Sequence, residues 1–318
     1  MSKVRVAFVG CGGRNRYGHM RDMKDFSDVD IVAVCDPVEQ ARNSIADEFG
    51  IELRYRDLNH MADEIGLDAV VIAAPAHLNY SISRISLERG IHTLIEKPPG
   101  MNVSETEDLR DIASRTGAKA LVGFQRRFHP MVVAAREMIE EKGPMLQIVG
   151  EFHKSISAAK ESNKYDPTVL DNLIYETPIH AIDLVLACAS SEVVEVQSVV
   201  RRSISEYKDV HAALILFENG CVAQISANYT GSGRLQRYEF HGNDISAYLS
   251  GISEGYVISH GNRIDLEDSV GSGGSRELDR FFIDCIKDDR PIGLPGATLD
   301  QSVKTMQLVE DILGGLSN

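Results

Sequence analysis

The segment Gly10-Cys11-Gly12-Gly13-Arg14-Asn15 follows the apolar run Val4–Val9, and Asp36 closes a second apolar run, Val29–Cys35, 24 residues beyond Gly12. These residue types at this spacing can hold a dinucleotide. Gly10 permits a tight turn at a strand end, and Gly12 lets a pyrophosphate approach backbone N–H groups near the positive end of the next helix. Cys11, Gly13 and Arg14 fall in the same turn and count with it as cofactor-binding candidates. Asn15 stands where the third glycine of the G-x-G-x-x-G pattern would be, a place where Asn tolerates a left-handed backbone. Asp36 lies near the expected offset of about 20 residues, where a carboxylate accepts hydrogen bonds from an adenosine ribose and repels a 2′-phosphate. Pro37, not Arg or Lys, follows it. NAD is therefore expected in preference to NADP.

The elements that must position this turn follow from apolar periodicity. Val4–Val9, Val29–Cys35, Ala69–Ala74, His92–Ile95 and Ala120–Phe124 are nearly continuous apolar runs, the pattern of parallel strands covered on both faces. Pro37–Phe49, Leu78–Arg89 and Ser104–Thr116 read as the intervening helices. Pro37 suits a first turn, Gly50, Gly90 and Gly117 suit C-terminal stops, and Ser104 with Glu107 reads as a capping box. Alternating β and α elements predict a doubly wound Rossmann domain over residues 1–124.

The remainder, 125–318, has a different rhythm. A helix near Met131–Lys142 precedes a strand at Leu146–His153, a polar stretch at Lys154–Asp171 and a helix near Pro178–Ala187. Strand patterns follow at Val193–Val200, His211–Glu218, Cys221–Tyr229, Gln236–His241, Ser246–Leu249, Tyr256–Ser259 and Arg263–Leu266, with Asn219-Gly220 as a hairpin turn. Helices near Arg276–Lys287 and Thr298–Leu313 close the chain. The fold class is thus α/β: a Rossmann domain plus a C-terminal α+β domain with a large, mostly antiparallel open sheet.

Composition narrows the partners. With 318 residues, 43% apolar and 25% charged, the chain is long enough for two globular domains. A net charge of −14 argues against nucleic acid or an anionic membrane as partner. No apolar run approaches the roughly 20 residues of a membrane span. Met1-Ser2-Lys3 leads directly into a strand pattern with no signal-peptide signature, and Cys11, Cys35, Cys188, Cys221 and Cys285 lack metal or redox spacing. Reduced thiols in a cytoplasmic protein, and no catalytic metal, are the expectation.

Four blocks carry a family likeness: the Gly10–Gly13 turn; Ala74-Pro75 followed by Glu96-Lys97-Pro98; Gly123-Phe124-Gln125-Arg126-Arg127-Phe128-His129-Pro130; and His180-Ala181-Ile182-Asp183. On these the sequence resembles the Gfo/Idh/MocA family, the glucose–fructose oxidoreductase and inositol dehydrogenase group. The resemblance implies hydride transfer between a nicotinamide and a hydroxyl-bearing carbon of a sugar, cyclitol or related polyol. It also implies an open sheet that serves oligomer contacts, so a homodimer or homotetramer is expected. Some members are redox-neutral, holding NAD as glycosidases or epimerases do. That class and a non-catalytic NAD- or sugar-binding regulator are the alternatives.

By position, Lys97 matches the family's active-site lysine, whose ammonium stabilises developing alkoxide charge and can relay a proton. His180 matches the catalytic histidine, four residues after a carboxylate that is usually Asp and is Glu176 here. With Thr177 as N-cap and Pro178 at the first position, His180 falls in a first helical turn, where the positive helix end favours a neutral base. Asp183 is a candidate to orient His180 or to cap local structure. Ala74 and Pro75 fit the nicotinamide-side loop, and His77 and Asn79 are candidates for contact with the nicotinamide ribose or the substrate. The resemblance further implies a ribose contact for Glu96 and cleft-lining roles for Arg126 and Arg127. Lys154, Tyr165, Asp166 and Asn172, in the polar stretch and just beyond it, are the regional candidates for substrate contact.

Overall fold

The apolar runs of the first third pair side by side in the computed structural model, which describes residues 3–162, 165–251, 253–268 and 271–317. They are β1 (Val4–Val9), β2 (Val29–Cys35), β3 (Leu53–Tyr55), β4 (Ala69–Ile72), β5 (His92–Ile95) and β6 (Ala120–Val122). The sheet order is β3-β2-β1-β4-β5-β6 and every pair is parallel. Strand order reverses between β1 and β4, the position at which doubly wound sheets open a ligand crevice beyond their C-terminal ends. Val6, Phe8, Val70, Val71, Leu94 and Ile95 are fully buried because both sheet faces are covered.

The helices Glu39–Phe49 and Val103–Thr116 stop at Gly50 and Gly117, both left-handed C-caps. The expected capping box at Ser104 is displaced: Asn102 caps the helix, accepting from the Glu105 N–H at 2.8 Å, while Glu105 Oε2 accepts from the Met101 N–H at 2.7 Å. Strands β4 and β6 each end two residues before the predicted stop, where the chain turns into loops at Ala73 and Gly123.

This first unit comprises Met1–Gln125 and Ser275–Val303; the second comprises Arg126–Gly274 and Lys304–Asn318. The sequence-based division had assigned 275–303 to the second domain. Packing returns it to the first: Arg280 makes a two-pronged ion pair with Asp28 at 2.8 and 3.2 Å, Lys287 joins the same carboxylate at 2.6 Å, and Ala297 bridges to Val122.

In the second unit an eight-stranded sheet is formed by β7 (Gln147–Ser155), β8 (Val193–Arg201), β9 (Val210–Phe217), β10 (Val222–Asn228), β11 (Thr230–Gly242), β12 (Ile245–Ser250), β13 (Glu254–Ser259) and β14 (Asn262–Leu266). Its order is β14-β13-β12-β11-β7-β10-β9-β8, antiparallel except for the parallel pair β7 and β10. The Asn219-Gly220 hairpin joins β9 to β10, with Gly220 at φ +85°. Helices Pro130–Glu140 and Ile179–Ala189 pack on one sheet face. The latter approaches closely because β7 offers Gly150, where an added Cβ would lie 3.0 Å from Ala181 and 3.1 Å from Ile225. On the other face Leu214 and Leu216 are 43% and 38% exposed. The polar stretch is not a plain loop. Ser155 and Asp166 cap two short helices, Ile156–Glu161 and Pro167–Leu170; residues 163 and 164 lie outside the described residues.

Candidate active site

At the end of β1 the backbone must reverse against β4. Gly10 has φ +89°, and a Cβ there would collide with the Ala73 carbonyl, so only glycine fits. Gly12 has open space where its Cβ would be, with no atom beyond its own chain neighbours within 4 Å among the described residues. That opening is what the approach of a pyrophosphate to the backbone requires. Asp36 Oδ2 accepts from the Cys11 N–H at 2.7 Å and Oδ1 from the Val38 N–H at 2.8 Å. A carboxylate has about four lone-pair sites, so Asp36 closes the turn and keeps capacity for ribose hydroxyls. The Cys11 side chain is buried and its thiol is pushed up to about 12, by burial first and then by Asp36. Cys11 thus offers the site its backbone rather than a thiolate.

Asn15 departs from its expected role. It is fully buried, and its amide donates to the carbonyls of Val9 at 3.0 Å and Gly10 at 2.7 Å. It staples the strand end from inside. Arg14, also counted as a ligand contact, reaches Glu96 Oε1 at 2.5 Å. A single π-helical turn, Asn15–His19, follows the motif.

Lys97 sits half-buried directly after β5, at the C-terminal edge of the parallel sheet, in a cis peptide with Pro98. Its loop is clamped from the helix Ala76–Glu88. The Asn79 amide donates to the carbonyls of Glu96 and Pro98, both at 2.9 Å, on either side of the lysine. Asn79 is fully buried and holds the lysine loop. Glu96 is likewise turned inward, 6% exposed, and accepts from Arg14 and His19. Burial alone would raise its pKa, but the Arg14 and His19 partners hold the carboxyl well below the usual range. These bonds make Glu96 an anchor between the lysine loop and the turn after the glycine motif. Ala74 is half-buried, while Pro75, the N-cap of Ala76–Glu88, and His77 on its first turn are exposed and open to a ligand.

In the second unit His180 is the second residue of Ile179–Ala189 and is 6% exposed, its N–H bonded to the Thr177 carbonyl at 3.1 Å. The N-cap is Pro178 rather than Thr177. The Thr177 hydroxyl instead donates to Glu176 Oε2, which also receives Lys154 Nζ at 2.6 Å. Tyr165 joins them: burial, then the charge and hydrogen bond of Glu176, push its phenol up to about 12. The structure therefore brings together Lys154, Tyr165 and Glu176 and adds Thr177, which had been read only as a cap.

Other candidates are engaged elsewhere. Asn172 accepts from Lys208 at 2.9 Å and donates to the Thr168 carbonyl at 2.9 Å. Asp166 caps its helix by accepting from the Thr168 N–H at 2.9 Å. Arg126 is buried and donates to Gln236 at 2.8 Å. Asp183 takes Arg127 in a two-pronged pair at 2.8 and 2.7 Å and accepts from Thr305 at 3.2 Å. The buried Arg126, Arg127 and Asp183 stiffen the second unit's core. Among the described residues no cluster of three His, Cys, Asp or Glu could hold a metal, and no helix is long and apolar enough to cross a membrane.

Residues 4–124 match a family model described as an oxidoreductase family with an NAD-binding Rossmann fold, and 132–248 match the GFO/IDH/MocA C-terminal domain. Over 264 residues the chain is 26% identical to the scyllo-inositol 2-dehydrogenase (NAD(+)) of Bacillus subtilis, a match spanning 80% of this chain and 73% of the relative. Over 157 residues it is 26% identical to a D-xylose 1-dehydrogenase (NADP(+)) of Haloferax volcanii, spanning 49% and 48%. The fold matches that of UDP-N-acetylglucosamine 3-dehydrogenase from Acidithiobacillus ferrooxidans with a TM-score of 0.83 at 19% identity, covering 99% and 98% of the two chains.

Proposed function

Because the chain belongs to the Gfo/Idh/MocA family of oxidoreductases, we propose that it is an NAD-dependent dehydrogenase acting on a hydroxyl-bearing carbon of a sugar, cyclitol or related polyol. The observation that carries this reading is the lysine loop. Lys97 stands at the C-terminal sheet edge of the same unit as the glycine turn, and Asn79 grips the carbonyls on both sides of it. The backbone of Gly10, Cys11, Gly12 and Gly13 would receive the pyrophosphate, and the spare lone pairs of Asp36 the adenosine ribose, which favours NAD over NADP. Bound NAD supplies the hydride acceptor.

The chain's own residues handle charge and protons. His180 takes the hydroxyl proton as general base, and Lys97 stabilises the forming alkoxide, a contribution of about 10²–10³ in turnover for one well-placed donor. Lys154, Tyr165, Glu176 and Thr177 offer donors and acceptors within one cluster, which suits the neighbouring hydroxyls of a polyol. The same groups serve the reverse reaction. The exposed sheet face around Leu214 and Leu216 supports the reading that the working form is a homodimer or homotetramer.

The test is a titration of the purified protein with NAD and with NADP, each with a panel of polyols, followed at the reduced-nicotinamide absorbance. A rise with NAD and one polyol is expected. NAD binding without reduction by any polyol points to redox-neutral chemistry, and no binding of either cofactor overturns the reading.

A further inference from the structure

Behind the lysine loop stands a hub of ionisable groups that takes no part in the proton or hydride transfer described above. Arg14 Nε lies 2.5 Å, and His19 Nε2 3.1 Å, from one oxygen, Oε1 of Glu96; His19 Nδ1 lies 2.6 Å from Asp279 Oδ1. His19 and Asp279 are 0% exposed. The donor count sets the state of the ring. Ionised carboxylates only accept, so an imidazole facing one at each nitrogen satisfies both only with two N–H groups, as imidazolium. Charged, His19 and Arg14 balance Glu96 and Asp279; neutral, His19 would leave a net negative charge buried, which is costly.

We propose that His19, kept protonated by Asp279, is a positioning residue for Lys97: it fastens Glu96 to the turn after the glycine motif and so couples the placement of the ammonium to that of the cofactor-binding backbone. The kinetic consequence rests on the dehydrogenase reading; the protonation state and the coupling do not. The charged groups facing His19 come from three elements. Arg14 and Asp22 lie on its own segment, Glu96, itself faced by Lys97, at the end of β5, and Asp279 on the helix Ser275–Lys287, whose Arg276 faces Asp22. Burial works against the imidazolium, as does Arg14, but Asp279 and Glu96 outweigh them and raise its pKa. A neutral His19 keeps a single N–H; with that proton on Nδ1, toward Asp279, it would withdraw a donor from Glu96, whose carboxylate already feels Lys97. The ammonium would then be drawn inward, away from a substrate oxygen.

The experiment combines nitrogen-15 NMR of the histidine rings with kinetics of Asp279→Asn, which keeps a hydrogen-bonding side chain and removes the charge; His19→Gln assigns the resonance. In the wild type the His19 ring should remain imidazolium above the ordinary value of about 6.5. The Gly13 and Lys97 amide resonances should move with the same midpoint. Asp279→Asn should shift that midpoint and the alkaline limb of kcat to lower pH together, and should lower kcat about 10- to 100-fold, the scale of a small misplacement of a reacting group. A neutral ring at pH 6, or Gly13 and Lys97 amides that ignore its titration, overturns the proposal without any assay of activity. A shifted ring midpoint with unchanged kcat overturns the link to Lys97. A wild type that reduces no NAD with any polyol overturns the dehydrogenase reading instead, and the two NMR arms still decide the coupling. If His19→Gln does not fold, Asp279→Asn alone supplies the comparison.

Discussion

Lys154 Nζ stands 2.6 Å from Glu176 Oε2, although the two residues are 22 positions apart and lie on different elements, the strand β7 and the turn before Ile179–Ala189. Thr177 donates to the same oxygen, and Tyr165 titrates as a neighbour of it. Glu176 replaces the shorter Asp that the family resemblance leads one to expect. Its extra methylene accompanies a carboxylate held by a lysine, a hydroxyl and a phenol, one helical turn before His180.

Neutralising that carboxylate should be felt first in the reaction. Glu176→Gln removes a charged acceptor, an interaction worth about 1.5–3 kcal/mol, so kcat/KM should fall about 10- to 100-fold. The Tyr165 phenol, pushed up to about 12 partly by Glu176, should titrate at lower pH in the variant by ultraviolet absorbance. An unchanged phenol and unchanged kcat/KM would separate the cluster from catalysis.

Asn79 grips the lysine loop from beneath, so Asn79→Ala leaves two carbonyls without their donor. The cost should be about 1–3 kcal/mol in urea unfolding. The kcat should fall more than the affinity for NAD does, because the variant loosens Lys97 and leaves the glycine turn intact. Calorimetry of NAD binding beside steady-state kinetics separates the two effects.

The two leading glycines should fail in different ways. Gly10→Ala meets the Ala73 carbonyl and a backbone at φ +89°, so it should lower the stability of the folded protein. Gly12→Ala points into open space and should fold normally while losing affinity for NAD. Thermal unfolding and NAD calorimetry on both proteins check the contrast; a Gly12→Ala protein with wild-type affinity would contradict the pyrophosphate assignment.

The hub also sets a pH window for stability. Glu96 has a lowered pKa, so its contribution is present above the unfolded value of about 4.3 and is lost as pH falls. His19 has a raised pKa, so its contribution is complete below about 6.5 and is lost as pH rises through the folded value. Urea unfolding of the wild type and His19→Gln across pH should show their stability difference narrowing on the alkaline side.

Much of this was legible because the signals are local. Strands β1, β2 and β5 follow from nearly continuous apolar runs, and the glycine turn and Asp36 sit at the ends of two of them. Strand β3 has three residues, two of them exposed, and leaves no apolar run to detect. The helices within the polar stretch are too short to show periodicity and are announced only by their caps, Ser155 and Asp166. Partnerships across the chain have no local signature at all. Asp183 is taken by Arg127 from 56 residues away, and His19 meets Asp279 from 260 residues away. For that reason Asn15, Asn79 and Glu96 read as ligand contacts and Asp183 as a partner of His180, while in the fold all four hold internal hydrogen bonds.

The central claim is that Lys97 serves hydride transfer to NAD and is not needed to hold it. The direct measurement is reduced-nicotinamide absorbance for wild type and Lys97→Ala in the same mixture of NAD and the active polyol, with NAD affinity taken by calorimetry on both. The account predicts a fall in turnover of about 10²-fold or more with NAD affinity within about 3-fold of wild type. Unchanged turnover in Lys97→Ala would contradict it.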